Sequence, residues 1–355
     1  MRVAYDETGL ELDATGSARA VRCLRRALAA RADVELVPVA QPSGRGGPLA
    51  RGLVRELVWY PFRLPRRARA LGADVLHCPM PLAPRRSVGP PVALTINDAI
   101  PWDHPEWMTR AHALHARHVL APAARRAAVV LVPSRHTRDR LLARVPGLAA
   151  ERIAVTPYGV DAVFTPGPGP AGAPPYLLAV GTLQPRKNLE AALSAFERLA
   201  AQGAEHRLVV VGARGWRDDD LLARVRRSPV AARIELRGRL ADDELVTLYR
   251  GAACLLYPSR AEGFGFPPLE AMACGTPVVC TVAGSLAEVV GDAAPRLGPD
   301  DAAGLAAAVA AVLAGPEPWR ARGLARAGEF RWERCAALTV DAYAAARERT
   351  RRMTS

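Results

Sequence analysis

Residues 165–188 read Thr-Pro-Gly-Pro-Gly-Pro-Ala-Gly-Ala-Pro-Pro-Tyr-Leu-Leu-Ala-Val-Gly-Thr-Leu-Gln-Pro-Arg-Lys-Asn. The opening Pro/Gly run can sustain neither a helix nor an interior strand, so 166–175 reads as a semi-rigid linker. Tyr176 to Val180 is an apolar run of buried-strand length, and the turn ending at Asn188 precedes a helix. Outward from here the same strand–loop–helix unit recurs. Strands are expected at residues 2–5, 34–39, 74–77, 92–96, 129–132 and 153–156, then at 176–180, 208–211, 234–236, 254–257 and 278–280. Helices follow Asn188, Asp218, Asp242 and Pro267, and from Asp300 the pattern is almost wholly helical. Short Val/Ile/Leu runs alternating with longer Ala/Leu/Arg segments predict an α/β protein with parallel sheets covered on both faces. The expected organisation is two doubly wound, Rossmann-like domains, 1–165 and 176–330, with a C-terminal helix at 331–355 returning towards the first. Two such domains would face a cleft at the carboxyl ends of their strands, where open α/β sheets bind ligands.

Composition narrows the class. At about 150 residues per domain, 355 residues agree with two domains. A hydrophobic content of 50% with 23% charge excludes disordered and fibrous chains. The cysteines, Cys23, Cys78, Cys254, Cys274, Cys280 and Cys335, lie scattered with no C-x-x-C pair, which argues for reduced, buried thiols in cytoplasm. Asp6 interrupts the N-terminus too early for a signal peptide, and no apolar run reaches membrane-spanning length, so neither secretion nor spanning is expected. Net charge is +13, and residues 1–170, with 24 basic and 14 acidic side chains, carry +10 of it. Every basic residue but one is Arg; the exception, Lys187, is a candidate for chemistry.

Two stretches carry that chemistry. Gly181-Thr-Leu-Gln-Pro-Arg186-Lys187-Asn188 follows the first strand of the second half, and its adjacent guanidinium and ammonium suit the two phosphates of a diphosphate leaving group. A solvated turn with an Asn helix cap is the plainer reading. Glu262-Gly263-Phe264-Gly265-Phe266-Pro267-Pro268-Leu269-Glu270 follows a buried-looking strand. Its glycines let backbone approach a ligand, its prolines suit a helix start, and Glu270, expected in the first turn, can accept from paired ribose hydroxyls or serve only the helix dipole.

These two stretches, with Pro157-Tyr158-Gly159-Val160-Asp161, a glycine turn near Gly16 and Val132-Pro133-Ser134, resemble the retaining family-4 glycosyltransferases. The resemblance implies the GT-B architecture and a nucleotide-sugar donor held by the second domain. It assigns Glu270 to the ribose, Arg186 and Lys187 to the diphosphate, Gly263 to Phe266 to the sugar hydroxyls, and places Glu262 facing the transferred sugar. Gly181 and Gly16 join the donor loops. Retention would follow from same-face attack, the departing phosphate taking the acceptor proton. The wording around Gly181–Asn188 is similar to mannosyltransferases, which implies GDP-mannose ahead of a UDP-hexose. No further cofactor and no metal are expected. The sequence departs from the family where Thr95-Ile96-Asn97-Asp98 puts Asn97 at the apparent histidine position, and Asn97 cannot titrate near neutral pH.

Other readings compete. His112, His115 and His118 share no common helix face and have no nearby strand-borne carboxylate, which argues against zinc. A nicotinamide dehydrogenase would need Gly-x-Gly-x-x-Gly after a first strand, which is absent. No nucleic-acid motif accompanies the charge. A protein that holds a nucleotide-sugar with weak turnover stays open. Residues 51–70 interleave six arginines and one Glu with Trp59, Tyr60 and Phe62, and offer a peripheral contact for anionic lipid heads at the inner face of the membrane, near a glycan or lipid-linked acceptor. A solvated arginine face on a core helix is the default.

Overall fold

The computed structural model describes residues 1–8, 16–42, 47–84, 89–172, 174–215 and 218–354. The chain forms two compact units, Met1–Gly159 with Arg331–Ser355, and Val160–Phe330.

The first unit carries a six-stranded parallel sheet in the order β2-β1-β3-β4-β5-β6, from β1 (Arg2–Asp6), β2 (Glu35–Val39), β3 (Val75–Cys78), β4 (Val92–Thr95), β5 (Val129–Val132) and β6 (Ile153–Val155). The second carries β7 (Tyr176–Val180), β8 (Arg207–Val211), β9 (Ile234–Arg237), β10 (Cys254–Tyr257), β11 (Val278–Thr281) and β12 (Arg296–Leu297) in the order β12-β11-β10-β7-β8-β9, again all parallel. β5, β10 and β11 are buried at every position, as parallel strands covered on both faces must be. Counting from β7, the second order is that of the dinucleotide-binding sheet, and it reverses between β7 and β10. Ligands of such sheets bind outside the strand ends at that reversal.

The eleven expected strands all form within a residue or two of their expected bounds. β12, a two-residue strand between Pro295 and Gly298, was missed because so short a run has no periodicity to read. The expected linker is a correction. Residues 166–175 belong to the second unit, and the chain passes between units at Gly159/Val160, not near 165. The glycines there serve close packing rather than freedom. A Cβ on Gly169 would lie 2.5 Å from the Gly251 Cα, and one on Gly167 2.8 Å from the Arg250 guanidinium carbon. Arg250 in turn donates to the Thr165 carbonyl at 2.8 Å, so the segment is strapped to the end of helix Asp242–Gly251.

Helix Trp332–Thr354 is part of the first unit. Buried Tyr343 shares a 2.6 Å hydrogen bond with His77 Nδ1, while His77 Nε2 meets Thr95 at 2.8 Å. Arg347 donates to Asp74 at 2.6 Å. Burial lowers the His77 ring to about 3, so the imidazole stays neutral in this contact. All six cysteines are buried thiols, none of them in a disulfide. No single helix among the described residues is long and apolar enough to cross a membrane.

Because folded His77 resists a proton that the unfolded chain accepts near 6.5, its share of stability is complete above that pH and is lost as pH falls towards about 3. Tyr343→Phe should leave a ring nitrogen buried without its partner and lower unfolding free energy by about 1–3 kcal/mol in urea titrations at neutral pH.

Candidate active site

The loops after β7 and β10 meet on one carboxylate. Glu262 is 8% exposed. Its Oε1 accepts from Lys187 Nζ at 2.5 Å, Ser259 at 2.7 Å and Tyr257 at 2.8 Å, and its Oε2 accepts from Arg186 at 3.2 Å. Lys187 also donates to the Tyr257 hydroxyl at 2.7 Å. Burial alone would raise the Glu262 carboxyl, but the two cations outweigh it and hold it at about 2. Lys187 is therefore a buried ammonium with a fixed counterion, whereas Arg186, with 22% of its side chain exposed against 10% for Lys187, lies nearer the surface.

Local backbone explains how these groups converge. Gly181 follows β7 at φ +155°, and a Cβ there would press to 3.2 Å on the Lys187 stem. Gly212 lies so close that its Cβ would fall 2.0 Å from the Gly181 carbonyl. Asn188 is left-handed at φ +52°, and its side chain donates to the Pro258 and Pro299 carbonyls at 3.0 and 2.7 Å. It occupies the cap position of helix Leu189–Ala201 but makes no side-chain bond to it, unlike the plainer reading of the stretch as a turn with an Asn cap. Asn188 instead fastens the cationic turn to the loop after β10, and Arg260 N–H donates to the Arg186 carbonyl at 2.8 Å.

The loop 263–266 is mostly buried. Gly265 takes φ +108°, and a Cβ on it would meet Leu286 at 2.7 Å. Phe264 packs edge-on to Phe266 and Phe330, and Ser285 donates to the carbonyls of Glu262 and Phe264 at 3.0 and 2.9 Å. Helix Phe266–Ala273 begins at Phe266, so Glu270 is its fifth residue and the first turn holds no acid. The expected first-turn position is thereby corrected; the paired prolines sit inside the helix start rather than before it. Glu270 is 4% exposed and accepts from Tyr249 at 2.9 Å.

Gly181, Arg186, Lys187, Glu262, Gly263, Phe264, Gly265, Phe266 and Glu270 thus all belong to the second unit, on the loops and helix that follow β7 and β10. Asn97 and Asp98 follow β4 in the first unit. Asn97 Oδ1 accepts from Tyr158 at 2.5 Å, and Asp98 accepts from the Ile100 N–H at 3.0 Å. Gly16 opens helix Gly16–Ala29, and residues 9–15 before it lie outside the described residues. Sequence reasoning missed Tyr257, Ser259, Tyr249 and Ser285. The one available signal was Tyr257, a hydroxyl ending the apolar run Cys-Leu-Leu-Tyr.

Glu262→Gln keeps the shape and removes the charge that balances two cations. It should lower unfolding free energy by roughly 2–4 kcal/mol at neutral pH. The folded carboxyl titrates below the unfolded value, so this difference from the parent chain is full above about pH 4.5 and shrinks as pH falls towards about 2. Urea titrations of the two proteins across that range check it.

Comparison with known proteins agrees with this geometry. Residues 166–325 match the family described as Glycosyl transferases group 1, and residues 14–164 match Glycosyltransferase Family 4. The Escherichia coli O-antigen chain mannosyltransferase B is 34% identical over 265 residues, covering 70% of this chain and 69% of that protein. Among solved structures, sucrose-phosphate synthase from Thermosynechococcus elongatus superposes with TM-score 0.77 at 20% identity over 100% of both chains. Anabaena HepE, in complex with UDP and glucose, superposes with TM-score 0.72 at 17% identity over 96% of this chain and 98% of its own. The sheet order, the two family matches and the mannosyltransferase relative together establish that the chain belongs to the family-4 glycosyltransferases of GT-B architecture.

Proposed function

We propose that this glycosyltransferase moves a hexosyl group, mannose in preference, from a nucleoside diphosphate sugar to a hydroxyl of a glycan or lipid-linked acceptor, with retention at the anomeric carbon. The observation that carries the reading is the Arg186–Lys187 pair at the sheet reversal of the second unit, held by Glu262. Two cations side by side match a diphosphate, and the charge that grows on it as the glycosidic bond breaks is what they would stabilise. Support for mannose over other hexoses comes from the mannosyltransferase relative, and GDP-mannose is preferred over a UDP-hexose only because the wording of Gly181–Asn188 is similar to mannosyltransferases.

The residues divide the work as follows. Lys187, fixed by Glu262 and Tyr257, supplies a charge whose position is set before the donor arrives. Arg186 turns its more exposed fork to the phosphate oxygens. Glu262 acts as the positioning carboxylate for both cations, since four donors already surround it. Glu270 accepts from the ribose hydroxyls beside its bond to Tyr249, and the buried glycine loop presents backbone to the sugar. The Asn97 carboxamide cannot take a proton near neutral pH, and in this reading the acceptor proton passes to the departing phosphate oxygen as that oxygen's bond to the anomeric carbon breaks and the new glycosidic bond forms on the same face.

A thermal-shift panel of GDP, UDP and ADP with their sugars tests the reading, because a ligand of the native state raises its melting point with saturation. GDP and GDP-mannose should give the largest shift; a shift confined to UDP compounds reassigns the donor, and no shift with any nucleotide removes the proposal. Arg186→Gln should abolish most of the nucleotide shift, lower kcat/KM about 100-fold, and change the unliganded melting point little. Lys187→Ala, by contrast, strands Glu262 and should lower the unliganded melting point as well.

A further inference from the structure

Large exposed apolar side chains are unevenly distributed over the described residues. Five of the ten, Leu53, Val54, Leu57, Val58 and Phe62, fall within ten consecutive residues, at 36–57% exposure. Scattered exposed leucines need no explanation, but a contiguous set does. All five lie on one helical run, Pro48–Val54 through Arg55–Arg63 to Leu64–Ala70, whose backbone stays right-handed across both joins. Pro61 lacks an amide donor, and the helix accommodates it by widening, so that Leu64 N–H reaches back five residues to the Trp59 carbonyl. Residues four apart stack on a helix, which sets Leu53 over Leu57 in one row and Val54, Val58 and Phe62 in the next.

The opposite side of the run is fixed. Trp59, Tyr60 and Leu64 are 4%, 2% and 0% exposed within the core of the first unit, and Tyr60 donates to buried Asp6 at 2.9 Å. The apolar rows are therefore held outward by a rigid anchor. Around them stand exposed Arg51, Arg63, Arg66, Arg67 and Arg69. The one acid between residues 51 and 70, Glu56, lies 3.7 Å from Arg55.

We propose that this face docks on an anionic lipid surface, its two apolar rows entering the boundary between headgroups and acyl chains and its arginines meeting lipid phosphates. Charge complementarity selects that occupant. A second copy packed face to face would bring two cationic rims together, and a nucleic acid would satisfy the arginines while leaving the aliphatic rows in water. The proposal needs no nucleotide and stands apart from sugar transfer.

Sedimentation of the full chain with phosphatidylcholine vesicles containing about one-third phosphatidylglycerol tests it, against phosphatidylcholine alone. The chain should pellet with the anionic vesicles, progressively less as salt is raised, and stay in solution with the neutral ones. Leu57→Glu combined with Phe62→Glu should cut the bound fraction about tenfold, and Arg66→Ala combined with Arg67→Ala severalfold. Both should keep the parent melting point, since the replaced side chains are exposed. Three outcomes overturn the proposal: no binding to either vesicle, binding unchanged by both double variants, or self-association in sedimentation velocity that Leu57→Glu with Phe62→Glu abolishes, which gives the face to a second copy.

Discussion

Four donors converging on Glu262 are the constraint on which the active region depends. An ammonium at 9% exposure could not stay charged without a counterion close by, and Glu262 provides it from a different strand end. A buried ion pair of this kind adds little net stability compared with a well-packed apolar pair, yet breaking it is costly. It ties the loop after β7 to the loop after β10. Ser259, Tyr257 and the Asn188 carboxamide add hydrogen bonds to that tie. The cations thereby keep fixed positions without a ligand, the condition under which fixed charges act on a developing one without reorganisation.

Much of this was legible in the sequence, for reasons that can be named. Parallel strands buried on both faces are written as short Val/Ile/Leu runs, so Val129–Val132 and Cys254–Tyr257 are visible without neighbours. A single Lys in an arginine-rich chain is visible as an exception. Partners distant in sequence are not. Glu262 lies 75 residues from Lys187, and nothing in either stretch announces the other. The turn position of Glu270 was misread because a proline pair marks a helix start only to within a residue or so. The Pro/Gly segment was misread for a different reason. Composition reports which conformations a backbone favours, whereas Gly169 is there because the Gly251 backbone passes too close for a side chain.

The first unit shows how a motif that resembles a family signature can be architectural. Tyr158 donates to Asn97 and stacks on Trp332 with ring centroids 5.6 Å apart, and a Cβ on Gly159 would lie 2.4 Å from the Trp332 nitrogen. The orientation of Asn97, after β4, thus rests on the start of the helix that ends the chain. His77, Thr95 and Tyr343 repeat that dependence deeper in the same unit.

The chain leaves the first unit after Gly159 and re-enters it at Arg331, so this unit is discontinuous while Val160–Phe330 is a single stretch. During synthesis the contiguous unit has every residue it needs once Phe330 has emerged from the ribosome. The first unit waits longer: its core around His77 lacks a wall until the segment from Arg331 onward arrives. A nascent chain halted before that segment would carry a finished second unit joined to an unfinished first one, the reverse of the usual order in which domains mature as they are translated.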